Sequence, residues 1–177
     1  TIYENIKRAR REDPLNYKYA KAEAQLNLIR ARNNPENNDY IELALENFKE
    51  VNRLYPLDAE SHEAIAELYY QKLPDSRMKF MAKTNDEVFE SHLQTTLEYL
   101  KNTLTLNSNS FKANFYMADL QYKLGNIDLS YKHLKRLKKL CSDESVCLAE
   151  LGNKNKESYE KLKKKVFKLV EMTKSKV

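Results

Sequence analysis

Two glycines and four prolines in 177 residues leave this chain short of the residues that punctuate turns. With many Leu, Lys, Glu, Asn and Tyr beside them, that scarcity argues for helix throughout. Hydrophobic residues make up 41% of the chain, yet no run of about 18 of them occurs, which excludes a membrane-spanning helix. The motifs of common catalysts are missing as well: there is no Gly-rich phosphate loop, no Ser nucleophile elbow and no paired-Cys metal site. The three histidines, His62, His92 and His133, fall in separate predicted helices, and His62-Glu63 is not part of a two-histidine zinc motif. The expectation is a chain that is not an enzyme, with no catalytic residue, metal, cofactor or small-molecule substrate.

Only two cysteines occur, Cys141 and Cys147, and their spacing is neither a CxxC redox motif nor a zinc pattern. Two readings stay open. They form a disulfide that pins the last helix and implies an oxidising, extracytoplasmic compartment, or they are two buried thiols. Their place in one short connection favours the disulfide. Charge of one sign is also scarce: 31 Lys and Arg stand against 26 Asp and Glu, a net +5. The excess is local. Lys132, Lys135, Arg136, Lys138 and Lys139 cluster in one predicted helix, and Lys161, Lys163, Lys164, Lys165 and Lys168 in the last. Such tracts meet phosphate backbones or acidic lipid, but no aromatics interleave for base stacking and no nucleic-acid motif is present. A solvated face is the commoner origin, so nucleic acid and membrane are the alternative partners rather than the leading ones.

What is present is amphipathic helix. Residues 111–140 read as two helices joined by a tight turn at Gly125-Asn126. Phe115, Ala118 and Tyr122 share a face of the first; Ile127, Tyr131, Leu134 and Leu137 share a face of the second. Copies of this hairpin recur. Aligned on their second helices, Ile2, Ala44, Thr96 and Ser130 are equivalent. Four residues on stand Ile6, Phe48, Leu100 and Leu134. Twelve on stand Pro14, Pro56, Ser108 and Ser142, and twenty-two on stand Ala24, Ala66, Ala118 and Gly152. The step from Thr96 to Ser130 is 34 residues, and the other two are 42 and 52, that is, 34 with insertions.

A 34-residue helix-turn-helix repeat with a small residue at this spacing resembles the tetratricopeptide (TPR) repeat family. No copy carries the family's Trp, and Gly125 is the only mid-repeat Gly. The resemblance implies an all-α fold, an α-solenoid of antiparallel helix pairs in a right-handed superhelix. Residues 1–14 match the second helix of a truncated upstream repeat, which leads us to expect a piece of a longer protein. Residues 15–57, 58–109 and 110–142 are repeats 1, 2 and 3, the second with an insertion at 74–85. Residues 143–177 are a short connection and a C-terminal capping helix, expected from about Lys156 because Gly152-Asn153 interrupts the pattern. Asp39, Asp58, Asp86 and Ser110 or Asn109 are the expected N-caps.

In the resembled family, the first helices of successive repeats line a concave groove that binds peptides or partner helices. The residues at those places are Glu60, Glu63, Glu67, Tyr70 and Gln71 in repeat 2, and Lys112, Phe115, Asp119, Tyr122 and Lys123 in repeat 3. Acids and tyrosines suit a basic or amphipathic segment, and Glu63 and Glu67 stand where a bound carboxylate would be repelled. In the insertion Met78, Phe80 and Met81 are large apolar residues in a charged setting, either a further contact or a flap over the core. The leading expectation is a protein-protein interaction scaffold or adaptor within a larger assembly. A structural self-association module is a third alternative.

Overall fold

The computed structural model describes residues 1–34, 37–73, 87–141 and 144–174, with side chains for all of these except 144–154 and 173–174. Every regular element among them is an α-helix: α1 (Ile2–Glu12), α2 (Tyr17–Asn33), α3 (Asn38–Leu54), α4 (Ala59–Gln71), α5 (Glu87–Leu106), α6 (Phe111–Lys123), α7 (Ile127–Leu140) and α8 (Glu144–Lys174).

The helix starts follow from polar side chains that bond otherwise unpaired amides of the first turn. Asn16 caps Lys18, Asp58 caps Ser61 at 3.1 Å and Ser110 caps Ala113 at 3.0 Å. At the third helix the cap is Asn37, which takes the Asp39 amide at 3.0 Å; Asp39, the expected cap, sits inside the first turn instead. Helices α1 and α3 stop just before Asp13-Pro14 and Tyr55-Pro56, as the bias of a pre-proline residue away from helical angles requires. The α6–α7 turn uses Gly125 at φ +83°, the one residue with positive φ among those described. The Asn126 amide bonds the Gln121 carbonyl at 2.8 Å and the Gly125 amide bonds Tyr122 at 3.0 Å, a Schellman closure that needs the left-handed residue.

Packing is between neighbours: α2 on α3, α4 on α5 and α6 on α7 form the closest pairs, and α4 also touches α6. The small residues that the hairpin spacing aligns lie where helices meet. Ala24, Ala66 and Ala118 are fully buried, as are Ala44, Thr96 and Ser130 in the second helices. In the α6–α7 pair the two sets touch directly, since the Ser130 hydroxyl donates to the Ala118 carbonyl at 2.8 Å. Helix α4 divides its faces between two cores. Ile65 and Leu68 join Leu28, Leu45, Phe48 and Val51 on one side, while Ala66 joins Leu93, Leu100, Phe115, Leu134 and Tyr159 on the other.

Three expectations need correction. Helix α8 is continuous from Glu144, so Gly152-Asn153 does not break it; a single Gly costs about 1 kcal/mol against Ala in a helix interior, which a 31-residue helix packed on two neighbours absorbs. The apolar spacing of the fifth and last helices predicts Val88 and Leu169 in the core, but they are 65% and 38% exposed, because each lies a step off the stripe that its helix buries. Asp86, Ser142 and the insertion, with Met78, Phe80 and Met81, lie outside the described residues. Among the described residues no helix is long and apolar enough to cross a membrane.

Candidate functional site

Helices α2, α4 and α6 are the first helices of the three pairs, and ionised side chains cross between them. Glu67 of α4 is buried, and Arg32 of α2 grips its carboxylate with both ends of the guanidinium, Nε to Oε1 at 3.1 Å and Nη2 to Oε2 at 2.7 Å. Lys112 of α6 stands 3.6 Å from the same Oε2. One acid thus serves two cations from two other helices. Toward the start of α4, Lys21 of α2 reaches both Asp58 and Glu60 at 2.8 Å. Burial alone lowers the Lys21 pKa, but the bonds to Asp58 and Glu60 outweigh it and leave it raised. Glu63 accepts a hydrogen bond from the Ser110 hydroxyl.

Near the end of α4, Tyr70 donates to the Asp119 carboxylate, and Lys123 reaches Asp119 at 2.6 Å and the Tyr70 oxygen at 3.3 Å. The Tyr70 ring lies 4.6 Å from that of Tyr116. Tyr116 is almost wholly buried, its oxygen accepts from the Asn155 amide at 3.4 Å, and burial first, then the charge of Glu67, pushes its phenol far above the ordinary range. It acts as a neutral platform beneath the charged pairs.

This geometry changes the expected character of the face. Glu67 and Asp119, read as open acids, are buried and neutralised, with side chains 8% and 11% exposed. The Arg32 side chain beside Glu67 is 40% exposed, so the centre of the face presents cation rather than anion. Phe115 does not line it at all: it is 1% exposed, beneath Tyr159 of α8 at 6.2 Å between ring centres. Glu60, Gln71 and partly Glu63, Tyr70, Lys112, Tyr122 and Lys123 stay accessible. The sequence reading missed Arg32, Lys21 and Tyr116. Lys21 occupies in repeat 1 the place of Glu63 and Phe115, so carrying the register back one repeat finds it. Arg32 directly precedes Asn33, Asn34 and Pro35 and so reads as loop from the sequence; only the extension of α2 to Asn33 brings it onto the face.

Glu67→Gln tests the shared carboxylate. It keeps the shape but leaves Arg32 and Lys112 side by side without an anion. The expected loss is about 1–2 kcal/mol in urea unfolding, below the cost of breaking a fully buried pair, because Arg32 keeps access to water. In an Arg32→Met background the same change is expected to cost less.

The remaining polar groups are structural. The His62 Nε2–H donates to the Pro56 carbonyl at 2.9 Å, which leaves Nδ1 to accept from Asn52 at 3.3 Å. The Asn114 amide donates to the Ser108 and Ser110 carbonyls, so its oxygen accepts from His133 Nδ1–H at 3.0 Å. Burial, then Lys132 and Arg136, holds His133 below its ordinary pKa of 6.5. The neutral imidazole is therefore favoured in the fold: its contribution is complete above pH 6.5 and is lost as pH falls through the lowered value. Acidification through that window is expected to destabilise the wild type more than a His133→Gln variant, read as the shift of urea midpoint at each pH. Cys141 is disulfide-bonded; the side chain of Cys147, the only other cysteine, lies outside the described residues. Among the described residues no group of three or more His, Cys, Asp or Glu is placed to hold a metal ion. No family model matches the chain, and comparison with curated proteins finds no match either.

Proposed function

We propose that the chain is a non-enzymatic protein-interaction scaffold, a TPR-like right-handed stack of helix pairs whose α2–α4–α6 side receives a segment of a partner within a larger assembly. The repeat register supports the stack: small residues at the equivalent places Ala24, Ala66 and Ala118 are all fully buried. The observation that carries the binding role is the set of ion pairs shared by three helices, with Arg32, Lys112, Glu60 and Tyr70 presented in fixed positions at its edge. Groups already held by hydrogen bonds lose little freedom when a ligand engages them. The charge order along α4 narrows the partner. Glu60 and Glu63 at its start favour a basic residue, and Arg32 and Lys112 at its middle favour an acidic one, so the segment carries both signs.

The experiment is selection from a displayed random-peptide library on the intact chain. Peptides with a basic residue and, further along, an acidic one are expected to be enriched. Their affinity should fall about tenfold or more on an Arg32→Ala/Lys112→Ala variant. Selected peptides that bind this variant as tightly as the wild type would place the binding surface elsewhere.

A further inference from the structure

Two matched rows of cations cover one face near the end of the chain. On α7, Lys132, Lys135, Arg136 and Lys139 recur at intervals of three, four and seven. On α8, Lys161, Lys164, Lys165 and Lys168 repeat the same intervals, and all eight are exposed. Each row lies across its helix from the buried stripe, which is Ser130, Leu134 and Leu137 on α7 and Leu162, Val166 and Val170 on α8. Each row extends about 10 Å, at about 1.5 Å of rise per residue.

The two rows face the same way. Helices α6 and α7 are antiparallel, since Ser130 meets Ala118, His133 meets Asn114 and Arg136 meets Asn109. Tyr159 of α8 sits on Phe111 and Phe115, beside the end of α7, while Phe167 meets Tyr131 near its start at 5.1 Å. Helix α8 therefore runs antiparallel to α7. Turning in the same sense around either helix leads from the buried stripe, past the ring that meets the neighbour, to the cation row. In an antiparallel pair that sense brings both rows to the side away from α6. The helix axes lie about 8–10 Å apart, so the eight charges share a patch roughly as wide as it is long.

Little opposes them. The acids of these helices with described side chains are Asp128, Glu157, Glu160 and Glu171, and only Glu157 reaches a row, 3.7 Å from Lys161. Residues 127–177 hold 14 Lys and Arg against 7 Asp and Glu, whereas residues 1–126 hold 17 against 19. The modest net charge hides a chain with a cationic end.

We propose that this face docks on an anionic membrane surface, both rows lying flat against the headgroups. Two features select lipid over nucleic acid. Neither row contains an aromatic ring on which a base could stack. Seven of the eight cations are lysine, a point charge suited to a diffuse anionic layer, where arginine is the residue that reads phosphates and base edges bidentately. The apolar stripes of α7 and α8 are committed to the core, so attachment is electrostatic, superficial and weakened by salt.

Sedimentation of the intact chain with vesicles tests this. Binding is expected to vesicles of phosphatidylcholine mixed with phosphatidylserine, to fall as salt rises, and to be absent with phosphatidylcholine alone. Each cation near such a surface is worth about fivefold in partitioning. Replacing Lys132, Lys135, Lys164 and Lys168 with Gln should therefore reduce binding about 10²–10³-fold. Replacing Arg8, Arg11, Lys18 and Lys101 with Gln makes the same change in net charge away from the face and should cost far less. Equal losses in the two variants would show that net charge alone is at work and overturn the assignment. So would no binding to the anionic vesicles, or tighter retention by duplex DNA than by those vesicles at the same salt.

Discussion

Tyr159→Ala is expected to cost about 3–5 kcal/mol, the largest loss of any single change considered. The ring is 1% exposed. It lies 6.1 Å from Phe111 and 6.2 Å from Phe115 between centroids, with the Lys163 ammonium 5.4 Å from its centre. It is the point at which α8 is fixed to the first helix of the last pair. Alanine there leaves a cavity among aromatic rings that neighbouring backbone cannot collapse to fill. Urea unfolding should show the loss, and amide exchange should show α8 giving up protection before α2 and α3, whose core does not include Tyr159. A loss below about 1 kcal/mol would mean that α8 is an appendage and not the cap of the stack. For the proposed binding role the consequence is direct, because Phe115 emerges when α8 leaves. The detached form would carry an apolar patch that the native face does not have.

The same residue marks the limit of what the sequence discloses. The helices were legible because their signals are local: caps such as Asp58 and Ser110, stops at Pro14 and Pro56, and buried stripes at helical spacing. Ala24, Ala66 and Ala118, aligned by the hairpin spacing, are each fully buried. The character of the α2–α4–α6 side was not legible. Whether Glu67 is an open acid depends on Arg32, 35 residues away, and on Lys112 in another helix; no window along the chain contains all three. Phe115 satisfied the pattern for both the core face and the groove face of α6, and only the course of α8 decides between them. Gly152 misled for the opposite reason. Its helix penalty is real but small, and tertiary packing along α8 exceeds it. Local chemistry thus fixes elements, while the sign and openness of a surface depend on partners that arrive from elsewhere in the fold.

The repeat register can be put to a harder test than burial. Ala66→Leu and Ala118→Leu are each expected to destabilise the chain by about 1–3 kcal/mol, although both replace one apolar residue with a larger one. Burying the extra carbons would favour the fold if there were room, by about 0.8 kcal/mol per methylene. There is none: both alanines are at 0% exposure, and the Ala118 carbonyl is held by the Ser130 hydroxyl of the facing helix. A leucine at 118 must push α7 outward or distort its own rotamer, and a leucine at 66 must do the same among Leu93, Leu100 and Phe115. Overpacking therefore outweighs transfer. Ala22→Leu on the half-buried flank of α2 is the control, where a larger side chain has space to turn outward and should be felt far less. If both core variants match the wild type in urea midpoint, the helices do not meet at these positions. The alignment of Ala24, Ala66 and Ala118 then has no structural meaning. The α2–α4–α6 side would lose the frame that makes its shared ion pairs a repeated surface rather than three unrelated contacts.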